Sequence, residues 1–208
     1  LRMSGEHKLK EGDEIVKTTE TVNSAELLFF TDQCRVYKSR ASDFEDTKTS
    51  VLGDYIPAKL GFEDGEKPVY MAVTTDYSGF MLFFFTNGRV AKVATSAYQT
   101  KTNRKKLISA YTDKFELCTI VDVPEDCELL MKSSGGRMLL LHTGALQTKA
   151  TKDSGGVAVM TQKKGQRLYE VITYTEGMLN KPHRYRTRSL PAAGSLPSAD
   201  EQGEQLKF

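Results

Sequence analysis

The sequence has no tryptophan, three cysteines, three histidines and no apolar run longer than about six residues in a chain of 208. A membrane-spanning helix needs about 20 consecutive apolar residues, and the longest runs here, Ala25 to Phe30 (broken by Glu26) and Phe80 to Phe85, fall far short. Leu1 opens no basic and apolar leader, so a soluble, non-exported chain is expected. Cys34, Cys118 and Cys127 are odd in number and widely spaced, which implies neither a disulfide framework nor a zinc site. They read as buried free thiols of a reducing compartment. His7, His142 and His183 have no carboxylate or cysteine at ligand spacing, so no metal is expected. The missing tryptophan also argues against blades of the WD type.

What is present is short strands. Runs rich in Val, Ile, Phe, Tyr and Leu, bounded by Gly, Asp, Asn or Ser, cover Ala25 to Thr31, Cys34 to Ser39, Val69 to Thr74, Phe80 to Thr86 and Arg89 to Thr95. They continue through Leu117 to Val123, Glu128 to Lys132, Arg137 to His142, Val157 to Thr161 and Gln166 to Ile172. Helical periodicity is not sustained over any window of twelve residues, although Lys101 to Ala110 could form a turn or two of helix. The fold class is therefore all-β.

Three hairpins repeat. In each, an apolar strand enters a polar turn and an arginine opens the return strand: Arg35, Arg89 and Arg137, spaced 54 and 48 residues apart. A period near 50 with four-strand spacing is that of a propeller-like blade, because a small antiparallel sheet can bury its faces only against other sheets. Blades are expected near residues 25–74, 79–123 and 127–172, forming a domain over 1–175. Residues 1–22 are expected to be the closing strands of a preceding unit. Residues 176–208, where Pro182, Pro191, Pro197 and Gly194 break the alternation, are expected to be an extended or partly disordered tail with its Leu206 to Phe208 end docked.

The net charge of +2 conceals an uneven distribution, from −3 over residues 26–75 to +3 over 76–122 and +2 over 123–170. No acidic residue lies between Asp76 and Asp113 or between Glu128 and Asp153. Cations at equivalent points of successive blades would line a rim, which suits a polyanion: Lys and Arg neutralise phosphates and release counterions without reading sequence. The same arginines would also serve as exposed hairpin residues that keep the chain soluble, and the charge pattern leaves both readings open.

The wording of the repeats resembles the C-terminal domain of the DNA-cleaving polypeptide of bacterial type IIA topoisomerases, the gyrase and topoisomerase IV family. The resemblance rests on the hairpin from Phe30 to Lys38, on Leu52 to Leu60, on the connecting segment Tyr98 to Leu107, and on Thr148 to Met160 with Lys163, Lys164 and Gly165 after it. It implies a β-pinwheel, a propeller-like array whose blades exchange a strand with a neighbour and whose basic rim holds and bends duplex DNA. It implies hairpin contacts from Arg35, Lys38, Arg89, Lys92 and Arg137. Lys101, Arg104, Lys105, Lys106, Lys149 and Lys152 would add contacts on connecting segments, and Lys163 and Lys164 at a turn.

No catalytic residue and no cofactor are expected for this domain. In the family the cleaving tyrosine and magnesium site lie on other domains, ATP binds a separate ATPase polypeptide, and the cleaving polypeptide dimerises through an N-terminal core. Arg184-Tyr185-Arg186 matches the family's tyrosine motif only superficially. The Gln-Arg-Arg-Gly-Gly-Lys-Gly box of gyrase is absent, which favours a topoisomerase IV-like role in a cytoplasmic, nucleoid-associated bacterial enzyme. The family's disc usually has five or six blades, against three and a fraction here. The alternative is a propeller used for protein interaction, with incidental rim charge.

Overall fold

A computed structural model describes residues 9–48, 51–102 and 104–202. Among them the order is β1 (Glu26–Thr31), β2 (Val36–Arg40), α1 (Ile56–Leu60), β3 (Pro68–Thr74), β4 (Phe80–Phe85), β5 (Arg89–Ala94), β6 (Lys106–Leu107) and β7 (Leu117–Val123). Then follow β8 (Glu128–Ser133), β9 (Met138–His142), β10 (Val157–Ala158), β11 (Leu168–Thr173) and α2 (Ala199–Gln202). The strands form three antiparallel sheets in the orders β3-β1-β2-β6, β10-β5-β4-β7 and β11-β8-β9. No helix among the described residues is long and apolar enough to cross a membrane.

Each sheet is built on one of the predicted hairpins. β1 pairs with β2 from Glu26↔Arg40 to Phe30↔Val36, β4 with β5 from Phe80↔Ala94 to Phe84↔Val90, and β8 with β9 from Glu128↔His142 to Lys132↔Met138. Tight reversals set these registers, and each places a left-handed residue just before the arginine: Cys34 (φ 54°), Gly88 (φ 83°) and Gly136 (φ 80°). Glycine adopts this conformation freely, whereas a cysteine meets a steric penalty there.

The chain divides into two compact units, Leu1–Asp76 with Thr102–Leu107, and Tyr77–Lys101 with Ile108–Phe208. In the first, Leu28, Phe30 and Val36 are fully buried, and Tyr37 packs at 4.5 Å on Phe62. In the second, Leu82, Phe84, Leu129, Met131, Val159, Met160 and Leu168 form one apolar cluster, and Leu130, Met138, Leu140 and Tyr185 form another.

Four local expectations are revised. Lys101 to Ala110 contains no helix among its described residues; it supplies β6, whose Leu107 and Lys106 pair with Val36 and Tyr37, because the open edge of β2 offers backbone partners that a solvated helical turn lacks. Residues 9–22 form no strand: they are exposed throughout, and the Lys17 side chain reaches β3, donating to Met71 O and lying over the Tyr70 ring. Residues 1–8 lie outside the described residues. The short helix α1 has no counterpart in the strand pattern; Pro57 near its start and Gly61 at its end (φ 69°) frame it.

The fourth revision concerns the tail, which is packed as far as it is described. Tyr185 is 1% exposed, its carbonyl accepts from Leu140 N, and Ser195 exchanges both backbone bonds with Met138 at 2.8 and 2.9 Å. The edge of β9 thereby gains the partners that an open sheet edge lacks. The expected docking of Leu206 to Phe208 lies outside the described residues.

Candidate nucleic-acid interface

The three hairpin arginines point into the fold. Arg89 donates from Nε to Gly155 O at 3.0 Å and from Nη2 to Gly156 O at 2.7 Å, with its guanidinium 5.3 Å from the Phe115 ring centre. Arg137 donates from Nη1 to Gly194 O at 2.8 Å. Gly156 and Gly194 occupy the same place: each has positive φ, and the next residue, Val157 or Ser195, pairs with the first residue after the arginine. A Cβ on Gly156 would fall 2.0 Å from Val90 O, and one on Gly194 would fall 2.6 Å from Met138 O. A close backbone approach and an arginine clamp thus fasten an incoming segment to the hairpin in both sheets of the second unit.

In the first unit Arg35 meets carboxylates. Its Nη1 lies 3.1 Å from Glu63 Oε2 and 3.3 Å from Glu66 Oε2. Glu66 is 4% exposed and also accepts from Thr31 Oγ1 at 2.6 Å, Tyr37 OH at 2.9 Å and Glu63 N at 3.0 Å. Burial alone would push this carboxyl up, but those hydrogen bonds and the Arg35 charge outweigh it and leave it below its usual value. Glu63 bridges Arg35 to Lys106, whose Nζ is 3.2 Å from Oε1. Hydrogen bonds from Lys106 and then Arg35 lower the Glu63 pKa.

Lys92, expected at the rim, is instead 4% exposed. Its ammonium donates to Asp126 Oδ1 at 2.7 Å and Thr143 O at 3.1 Å and lies 4.2 Å from the Phe80 ring centre. A phosphate could reach it only by breaking that enclosure, so Lys92 serves the interior. The pattern of apolar and basic residues along β5 gives no sign of this, because Asp126 comes from the distant segment that connects β7 to β8.

The remaining expected residues sit nearer solvent. Lys101, Arg104, Lys105, Lys163 and Lys164 are exposed, Lys149 and Lys152 are half-buried, and the Lys38 side chain is only 9% exposed, with its Nζ 3.7 Å from Glu26 Oε2. Lys149 is pinned by its backbone, which donates to Lys92 O at 2.8 Å. In the first unit Lys38, Lys59 and Lys105 line one cavity of about 230 Å³ with Tyr37, Ser39, Leu60 and Asp43. Lys59 comes from α1, outside the set that the sequence marks; its ammonium pairs with Asp54 at 2.9 Å. Asp43 is held ionised in the wall by the Arg40 amide and, after the opposing effect of burial, by Ser39.

Tyr185 is enclosed. Its hydroxyl donates to Glu201, itself 6% exposed, which also accepts from the Asn180, Lys181 and Ser198 amides. This tyrosine is a packing residue of the tail.

No protein-family model matches the chain, and no curated protein sequence does. Solved structures do. The C-terminal domain of DNA topoisomerase IV superposes with a TM-score of 0.70 at 20% identity, over 82% of this chain and 53% of that one. This chain has the fold of a type IIA topoisomerase C-terminal domain. The E. coli ParC C-terminal domain aligns over 91% of this chain and 83% of its own (TM-score 0.67, 13% identity), and the DNA gyrase A C-terminal domain over 84% and 60% (0.60, 14%). The chain thus spans about half the length of the topoisomerase IV domain it matches. The β-pinwheel fold anticipated from the hairpin wording is the observed one.

Proposed function

We propose that this chain is a non-catalytic, DNA-binding and DNA-bending domain of the DNA-cleaving polypeptide of a type IIA topoisomerase, topoisomerase IV-like in lacking the gyrase box. The observation that carries this reading is the set of exposed cations on connecting segments and turns of a topoisomerase-type fold: Lys101, Arg104, Lys105, Lys163 and Lys164. Lys38, Lys149 and Lys152 stand in support, whereas Arg89 and Arg137 fasten backbone segments, Lys92 is enclosed and Arg35 is held by Glu63 and Glu66.

Such contacts are to phosphate. Lys and Arg on flexible stems neutralise the backbone of a duplex without touching base edges, so unrelated sequences bind alike. Bending a 20–30 base-pair duplex costs of order 1–6 kcal/mol, which added phosphate contacts offset. In this proposal ATP hydrolysis with its magnesium belongs to the ATPase polypeptide, and DNA cleavage and dimerisation belong to the remainder of the cleaving one.

The test is an anisotropy titration of the chain with a duplex of about 40 base pairs across a salt series. With roughly six phosphates neutralised, log affinity falls against log salt with a slope of about −5. Absence of binding at low salt removes this reading in favour of a protein-interaction module, for which Leu52 (90% exposed) and Tyr55 (74%) offer the apolar surface.

A further inference from the structure

One turn recurs in the first and third sheets with its charge reversed. Glu63-Asp64-Gly65-Glu66-Lys67 and Lys163-Lys164-Gly165-Gln166-Arg167 share the same hydrogen bonds. Glu66 N donates to Glu63 O at 3.0 Å, and Gln166 N to Lys163 O at 2.9 Å; Gly65 and Gly165 both have φ 77°. Lys67 O accepts from Asp32 N, and Arg167 O from Ser134 N, at 3.0 and 2.8 Å. Lys67 N donates to Asp32 Oδ1, and Arg167 N to Ser134 Oγ, both at 2.9 Å. The backbone device is one; the side chains at its first two positions differ, two carboxylates in one sheet and two ammonium groups in the other.

The carboxylate at the first position holds two cations. Glu63 Oε2 lies 3.1 Å from Arg35 Nη1, and Oε1 lies 3.2 Å from Lys106 Nζ, so each oxygen takes one partner. Its side chain is 58% exposed, and that of Lys106 is 39% exposed. A carboxylate with two oxygens on an arginine and a lysine makes the contacts that a DNA phosphate would make. Glu63 itself is solvated in both pairs, so a competing anion could displace its carboxylate; Arg35, whose side chain is 22% exposed, would then keep its second partner, Glu66 Oε2 at 3.3 Å.

We propose that Glu63 is a resident phosphate substitute that withholds Arg35 and Lys106 from nucleic acid, so that the turn is closed to polyanions in the first sheet and open in the third, at Lys163 and Lys164. This rests on the DNA-binding reading above and refines it, since it assigns to one side chain the choice of which sheets engage phosphate.

The experiment compares duplex affinity and salt slope for the full chain, Glu63→Gln, Asp64→Asn and the double variant Glu63→Gln/Lys106→Gln, with circular dichroism reporting that each is folded. Glu63→Gln binds a duplex of about 40 base pairs roughly 3- to 10-fold more tightly, as expected when Lys106 is freed and Arg35 keeps only Glu66. Its salt slope steepens by about 1 to 2. Asp64→Asn, the same charge change one residue away, gives less than half of that gain, and removing Lys106 cancels most of it.

An unchanged affinity for Glu63→Gln, an equal gain from Asp64→Asn, or a gain that survives loss of Lys106 overturns the assignment. A second arm separates it from the DNA reading: inorganic pyrophosphate is titrated while the Arg35 Nε–H resonance is followed by NMR. If no variant binds duplex, a shift in Glu63→Gln that the unaltered chain lacks retains the assignment and discards DNA as the ligand. The absence of any shift discards both.

Discussion

At the scale of the residue, the same amino acid does different work according to what the fold places beside it. Arg89 and Arg137 clamp backbone carbonyls, and Arg35, at the same place in its hairpin, is held by Glu63 and Glu66. Glu66 carries a pH dependence. Its folded pKa lies below the unfolded value of about 4.3, so its contribution is fully present above that pH and is lost as pH falls through the folded pKa. Hydrogen exchange at the Phe30 and Val36 amides, corrected for the intrinsic effect of pH, is therefore expected to lose protection below about pH 4 in the unaltered chain. In Glu66→Gln that acid sensitivity is reduced, while stability at neutral pH drops by about 1–3 kcal/mol because Arg35 and Tyr37 lose their charged acceptor. An unchanged pH profile in the variant would contradict this role.

At the scale of the element, attachment of incoming segments depends on glycines that meet backbone at close range. Gly156→Ala is expected to detach β10 from β5, since its Cβ would sit 2.0 Å from Val90 O in a left-handed conformation. Gly165→Ala shares the positive φ but has nothing within 4 Å of the added carbon, so it bears only the conformational penalty of about 1–2 kcal/mol. Thermal unfolding should rank the two, with Gly156→Ala clearly the lower and the Val157 amide unprotected in it. Equal melting temperatures would mean that the close approach to Val90 is relaxed at little cost. The hairpins are legible in the sequence because apolar runs stand between turn signals, as at Phe80 to Ala94. β6 is not, since two residues carry no period and only the edge of β2 makes Lys106 and Leu107 a strand.

At the scale of the whole molecule, binding is expected to follow exposed charge and not total charge. Replacing Lys101, Lys163 and Lys164 by Gln should weaken duplex binding equally for unrelated sequences and flatten the salt slope by up to about 3 units. Replacing Arg104, Lys105 and Lys106 removes a smaller effective number, because Lys106 is engaged by Glu63. A loss confined to particular DNA sequences would contradict the phosphate reading. Of the expected contact residues, Lys101, Arg104, Lys105, Lys163 and Lys164 are readable as exposed from their polar neighbours, whereas the burial of Lys149 and Lys152, the pairing of Lys106 and the surroundings of the hairpin residues are not. The carbonyls of Gly155, Gly156 and Gly194 and the carboxylates of Glu63, Glu66 and Asp126 come from segments about 30 to 70 residues away in sequence.

The all-β class, the three repeated hairpins and the likeness to a topoisomerase C-terminal domain are all readable from the order of amino acids alone. Strand composition and turn chemistry are local properties, written within a dozen residues of each other. Folding in three dimensions settles which cations remain in solvent, that the tail completes the edge of β9, and that Glu63 stands between Arg35 and Lys106. Those outcomes depend on pairings between distant segments, and charge in a sequence records neither the partner nor the burial that fixes its use.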